Sequence, residues 1–344
     1  MSLHAVDAST SANVPPSMRS ISNSINSALR RDLTARYGAI KTLTNPSELA
    51  DVAQRLGYRP NSLARDLSRQ ASNTLAVLLP DISNPFFSSL VKEIQSLAER
   101  AGFAVLLCST RDDERIEQRN LDALLSKQIR HVLVMGLRAD FEEVQTYEDA
   151  GLRFIALDRS VPSTHAVRIH SDNLAGARAV TEHLIELGHR RIAHIRGPEF
   201  CDVALERYEG YRAALKAYRI RYDRKLVVTT TFDESGGRTA LDTLVRRKSP
   251  FTAIFASNDL IAIGVQCAAR DRGLRVPQDL SLAGFDDVPV ASYTTPRITT
   301  VRQDVGAIAA AAMDAVQSGA ATGPREVCIP VALRVRESTA SPSA

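Results

Sequence analysis

The sequence predicts an α/β protein: two doubly wound parallel-sheet lobes, preceded by a small all-α head and a hinge helix. Three observations carry this. Short apolar runs alternate with longer amphipathic stretches along most of the chain. The alternation falls into two series, one before about Asp172 and one after. The first 75 residues also differ in charge from the rest. They hold nine basic residues against five acidic ones, an excess equal to the net charge of +4 for all 344 residues. Regular β-α-β alternation with short links implies parallel sheets covered by helices on both faces. Two such lobes bring the carboxyl ends of their strands to a shared crevice, where ligands bind.

The head comes first. Met18, Ile21, Ile25 and Leu29 recur at helical spacing between Ser17 and Leu33, and Arg19, Ser20, Asn23 and Ser24 lie on the polar face. Such side chains donate to phosphates or bases. Gly38 and Asn45-Pro46 punctuate the chain. Ser47 can cap a short helix whose apolar face is Leu49, Val52, Ala53 and Leu56, ending at Gly57. A Gly-Tyr-Arg-Pro turn leads into a short basic segment, Asn61 to Arg69, with Leu63 and Leu67 on one side and Arg65 and Arg69 on the other.

After a break at Ser72-Asn73 the body begins. Strands are expected at Leu75–Leu79, Ala104–Leu107, His131–Met135, Arg153–Leu157, Ile192–Ile195, Ala253–Ala256 and Leu280–Ala283. Helices are expected at Pro85–Ala101, Asp113–Lys127, Asn173–Leu187, Leu205–Tyr218, Gly237–Arg246 and Leu260–Arg272. A last helix, Val305–Ser318, and a last strand, Arg325–Val335, complete one or both sheets. Asn84 is placed to cap the first body helix, with Pro85 in its first turn. The expected division is 1–58 head, 59–72 hinge helix and linker, 73–171 plus 303–326 N-terminal lobe, and 172–302 plus 327–344 C-terminal lobe.

Composition excludes several classes. Apolar content of 44% and charged content of 24% are ordinary for a globular protein. No run approaches the roughly 18 apolar residues of a membrane span. The N-terminus lacks the basic-then-apolar pattern of a secretion signal, so a cytoplasmic protein without membrane contact is expected. Cys108, Cys201, Cys267 and Cys328 match no metal or redox spacing and read as buried thiols of a reducing compartment. His170, His183, His189 and His194 form no metal motif. No nucleophile elbow or phosphate-binding glycine loop is present. The Asp286-Asp287 pair is the one acid–base candidate, and a binding cleft explains it better than catalysis. No enzyme, catalytic residue, cofactor or metal is therefore expected. A basic head suits phosphate contact, although on charge alone a solvated tail fits equally well.

From Leu56 to about Ser338, more than four-fifths of the chain, the sequence resembles the LacI/GalR family of bacterial transcription regulators. The segments LGYRPNSLARDL, PDISNPFF, ALDRS, SDNLAG, EHLIELGHRRIAHI, ERYEGYRAAL, FASNDLIAIG, DLSLAGFDD and PRITTVRQD stand in family order and spacing. The resemblance implies a periplasmic-binding-protein-like body and an N-terminal helix-turn-helix head. It implies a repressor of a carbohydrate-utilisation operon that binds a near-palindromic DNA operator as a homodimer and answers to a sugar or sugar acid in the cleft between its lobes. The alternative is a sugar-binding sensor that has lost specific DNA binding.

The head departs from the family pattern. Its recognition segment matches Ser17 to Asn26, with DNA contacts implied for Ser17, Arg19, Ser20, Ser22, Asn23 and Asn26; Asn23 stands where the family carries arginine. The distance from Asn26 to Leu56 is also longer than the pattern expects. In the hinge, Arg59, Asn61, Leu63, Ala64, Arg65 and Leu67 are the implied contacts, Leu67 matching the leucine wedged into a minor-groove base step. A plain linker helix is the alternative there. For the effector, the resemblance implies Asn84, Phe86, Phe87, Asp158, Arg159, Arg207, Phe232, Asn258, Asp286 and Gln303. One of the two phenylalanines is expected in the core instead, and an intralobe ion pair is the alternative for Asp158-Arg159. A guanidinium, carboxylates and an amide suit adjacent hydroxyls, while aromatic rings cover a sugar's C–H face. Cys201 stands where purine-sensing members carry a second arginine, which argues against a nucleobase ligand.

Overall fold

The computed structural model of the chain describes residues 73–318 and 325–342. The head (1–58), the hinge (59–72) and every DNA-contact candidate from Ser17 to Leu67 lie outside the described residues.

The aliphatic run Thr74–Leu79 forms strand β1, buried along nearly its whole length. Asn84 then starts helix α1 (Pro85–Arg100): its Oδ1 accepts the Phe86 N–H, and Pro85 occupies the first turn. The chain continues through β2 (Ala104–Ser109), α2 (Glu114–Ser126), β3 (His131–Val134), α3 (Phe141–Asp149), β4 (Arg153–Leu157) and β5 (Val167–Ser171). Period-two alternation divides the side chains of this sheet between two faces. Leu75, Val77, Leu79, Leu133 and Ile155 pack with Phe87, Leu90 and Ile94 of α1. Ala76, Leu78, Val132, Val134 and Phe154 pack with Leu121 and Leu124 of α2 and Val144 of α3.

Asp172 caps α4 (Asn173–Glu186), which opens the second lobe. There follow β6 (Ile192–Arg196), α5 (Asp202–Ala217), β7 (Val227–Thr229), α6 (Glu234–Arg246), β8 (Ala253–Ala256), α7 (Asp259–Asp271) and β9 (Ser281–Ala283). The strands form a parallel sheet in the order β7-β6-β8-β9. Val180, Leu184 and Tyr211 of α4 and α5 cover one face with Ile192 and Phe255. Leu241, Leu244, Ile261 and Val265 of α6 and α7 cover the other, with Ile195 and Ile254. Gly237 and Gly264 let α6 and α7 touch backbone to backbone: a Cβ at either would collide with a carbonyl of the facing helix.

After β9 the chain runs through β10 (Thr300–Arg302) and returns as α8 (Val305–Gln317) to the first lobe, where Ile308, Ala312 and Met313 join the core beside α1. Two strands complete the fold, β11 (Arg325–Ile329) and β12 (Ala332–Arg334). The first sheet is six-stranded and parallel throughout, in the order β11-β5-β4-β3-β1-β2. β12 pairs antiparallel with β10. The last residues dock on the second lobe, where Ser338 Oγ donates to Leu282 O.

The end of the chain corrects the sequence reading. The single strand expected over Arg325–Val335 is two strands in different sheets, and Pro330 stands between them. Proline has no N–H to continue a ladder. The lobe boundary expected between 326 and 327 cuts β11, whose pairs Val327↔Ile169, Cys328↔His170 and Ile329↔Ser171 keep the whole strand with the first sheet. β5, β7, β10 and α3 were not foreseen. Cys328 is exposed rather than buried, while Cys201 is buried and Cys108 and Cys267 are half-buried; all four thiols are free. Among the described residues no helix is long and apolar enough to cross a membrane. No cluster of His, Cys, Asp or Glu among them could hold a metal ion.

Candidate functional site

The carboxyl ends of β1, β4, β8 and β9 converge between the lobes, as parallel sheets require of their ligand sites. After β1, the cap and first turn of α1 bring in Asn84, Phe86 and Phe87; the end of β4 brings Asp158 and Arg159. The first turns of α5 bring Val203 and Arg207, and the loops around α6, β8 and β9 bring Phe232, Asn258 and Asp286. Together they line one cavity of about 30 Å³. Nine of the ten effector candidates thus meet at one place. The tenth, Gln303, reaches it indirectly, its Nε2 donating to Asp286 Oδ1 at 2.7 Å.

Arg207 is the centre of this arrangement. It is buried, and its Nη1 lies 3.3 Å from Asp286 Oδ1 across the cavity. Nε donates to Asn173 Oδ1 at 2.8 Å and Nη1 to the Ser257 carbonyl at 2.7 Å. The guanidinium also lies 3.8 Å from the Phe285 ring centroid. The side chain is therefore held in one orientation before any ligand arrives.

The two cleft carboxyls are buried, and both stand on left-handed backbone, Asp158 at φ 65° and Asp286 at φ 111°. Non-glycine residues take up such conformations at a cost, and only where their surroundings enforce it. For Asp286 the enforcing group is Asp259. One of its oxygens accepts from Thr300 Oγ1 at 2.6 Å and the other from the Val288 N–H at 2.9 Å, which pins the loop carrying Asp286. Burial pushes the Asp286 carboxyl up to about 7; Arg207 and Gln303 pull it down, and Asp158 adds to the rise. Burial likewise raises Asp158, against the pull of Arg207 and Arg159.

Arg159 forms an ion pair within its own lobe, Nη1 to Asp112 Oδ1 at 2.8 Å, and it lines the cavity. Phe86 and Phe87 do not divide into wall and core. Both line the cavity, both are packed in the core, and their rings meet edge to face at 5.4 Å. The tip of the Phe232 ring abuts Gly197, where a Cβ would strike it. Asn84 and Asn258 face the cavity with an oxygen already engaged: each caps its helix, Asn258 Oδ1 accepting from the Ile261 N–H at 2.9 Å.

Four buried polar atoms around this centre have no protein partner: Asp158 Oδ1, Arg159 Nε, Ser257 Oγ and Gln303 Oε1. Buried groups left unpaired are costly, and hydroxyls of a ligand would satisfy them. Nothing here combines a nucleophile with a base. Burial holds the Cys201 thiol up at about 11, so it is inert. Sequence reasoning missed Val203, Asn173 and Asp259. The last two sit inside the SDNLAG and FASND segments, but their partners are distant in the chain.

A family model described as a periplasmic binding protein-like domain matches residues 181–339. The chain is 36% identical over 258 residues to the ribose operon repressor of Halalkalibacterium halodurans, covering 74% of this chain and 76% of that protein. It is 33% identical over 266 residues to the HTH-type transcriptional regulator GalS of Salmonella typhimurium, covering 77% and 78%. A LacI-family transcriptional regulator from Enterococcus faecium, solved with bound ribose, superposes with a TM-score of 0.70 at 28% identity, covering 78% of this chain and 99% of that one. Fold and site together define a regulator whose sensing body has two lobes. The chain belongs to the LacI family of bacterial transcription regulators. These relatives are a transcriptional repressor and a transcriptional regulator, in agreement with the expectation that the chain is not an enzyme.

Proposed function

We propose that the chain represses a carbohydrate-utilisation operon from the cytoplasm, binding a near-palindromic operator as a homodimer and sensing a sugar or sugar acid between its lobes. The observation that supports this best is the cavity itself. Strand ends of two lobes converge on a pre-oriented Arg207, two buried carboxyls, two phenylalanines from α1 and several unpaired polar atoms. Arg207 and Asp286 bind adjacent hydroxyls, with Gln303 holding the Asp286 carboxyl in place. Phe86, Phe87 and Phe232 cover the C–H face of the ring.

The lobes part to admit the ligand and close on it by bending where the chain crosses between them, near Asp172 and Thr300. Closure shifts the first lobes of the dimer relative to each other. The hinge helices, with Leu67 as the wedging residue, then gain or lose their pairing on the operator. The coupling is the differential affinity of the effector for the two arrangements.

A gel-shift assay of the full chain on its upstream DNA, at two salt concentrations and with a panel of sugars, tests this reading. A sequence-specific shift that one sugar changes is expected. Ligand binding without any specific shift would instead identify a sensor without DNA binding, the alternative that the divergent residues around Asn23 raise.

A further inference from the structure

Beside the inner cavity lies a second one, of about 220 Å³. The two share Arg159 as a common wall. Leu137, Arg138 and Val161 line the outer one from the first lobe, Phe200 and Asp202 from the second. Phe200 is 53% exposed, and the Arg138 guanidinium stands 4.2 Å from its ring centroid, so the pair spans the mouth from opposite lobes. The Ser160 N–H donates to Asp202 Oδ2 at 2.7 Å, a second link across the lobes. Arg159, 8% exposed, gives Nη1 to Asp112 and leaves its Nε unpaired. An exposed aromatic face with apolar neighbours and a cation above it suits contact with another ring.

We propose that the effector is a glycoside, with its first ring in the inner chamber and its second in the outer chamber against Phe200. This deepens the reading of the cleft given above and rests on it. A free monosaccharide satisfies the polar groups around Arg207 and Asp286 but leaves the outer chamber to water. In a glycoside the bond joining the rings passes beside Arg159, whose unpaired Nε donates to an oxygen near that bond. The second ring touches both lips of the cleft, where Arg138 and Phe200 meet. Its contacts exist only when the lobes are closed, so it adds directly to the differential affinity that drives the switch.

Titration calorimetry of the full chain and of Phe200→Ala tests this, using a free pentose and hexose, their methyl glycosides, a disaccharide and a nucleoside. At least one two-ring compound is expected to bind about tenfold or more tightly than its own free monosaccharide. Methyl glycosides, which lack the second ring, are expected to match the free sugars. Phe200→Ala, a change at an exposed side chain, removes the two-ring advantage and leaves monosaccharide affinity as it was. The disaccharide and nucleoside arms identify which kind of second ring is taken. Equal affinity for free sugars and two-ring glycosides overturns the outer subsite alone, as does equal weakening of both by Phe200→Ala. Failure of every compound to bind overturns the cleft reading and the subsite with it.

Discussion

Asp286 titrates near neutrality because burial outweighs the pull of Arg207 and Gln303 on its carboxyl. In the proposed complex a ligand hydroxyl donates to the carboxylate, so binding favours the deprotonated form. Effector affinity is therefore expected to rise from pH 6 to pH 8, with a proton released on binding in the lower half of that range. Calorimetry in two buffers of different ionisation enthalpy reads the proton directly; identical heats in both contradict the assignment. The same shift acts on the stability of the free protein. A carboxyl raised from 3.8 to about 7 contributes stability that is complete below its unfolded value and is lost as pH rises through 7. His194 does the opposite. Stacked among Tyr208, Tyr211 and Phe255 and fully buried, it is held down at about 3. Its contribution is present above its ordinary 6.5 and is lost as pH falls through 6.5 towards 3. His194→Phe should flatten the fall in melting temperature on the acid side, and Asp286→Asn the fall between about pH 4 and 7. A profile unchanged in either variant contradicts the corresponding burial argument.

At the scale of elements, much was legible because the junctions are local. Asn84, Asp113, Asp172 and Asn258 each sit between a strand and a helix, and each caps that helix in the structure. The long helices and the longer core strands follow from periodicity alone. β7 and β10 are three residues each, too short for a pattern to emerge. The split of β11 from β12 turns on the single residue Pro330. In the site, Arg207 and Asp286 were legible from their segments. Asp259 was not, because Thr300 and Val288, which its carboxyl holds, lie 41 and 29 residues away. Close helix contacts were equally hidden. Gly264 in α7 sits where a Cβ would strike the Glu234 carbonyl. Gly264→Ala is expected to lower unfolding stability by about 1–3 kcal/mol, the usual cost of overfilling a packed contact. Denaturant titration measures it, and a stabilised variant would mean that α6 and α7 approach less closely than described.

Over the whole molecule, the chain passes between lobes at Asp172, around Gln303 and around Pro330, and the cavity lies between the two sheets these passages connect. Ion pairs run from Arg168 of the first lobe to Asp202 and Glu206 of the second. Half-exposed pairs of this kind contribute about 0–1 kcal/mol each. In the proposed switch a modest ligand contribution can therefore decide between open and closed. In the proposed function, a ligand held by Arg207 and Asp286 controls the chain's hold on DNA. The most direct measurement is operator affinity by fluorescence anisotropy, with and without a sugar that binds, for the full chain and for Asp286→Asn. The wild-type affinity is expected to change by about tenfold or more, within the usual range of allosteric coupling, while Asp286→Asn binds the same operator without responding. An Asp286→Asn variant that responds to the sugar as the wild type does would contradict the account.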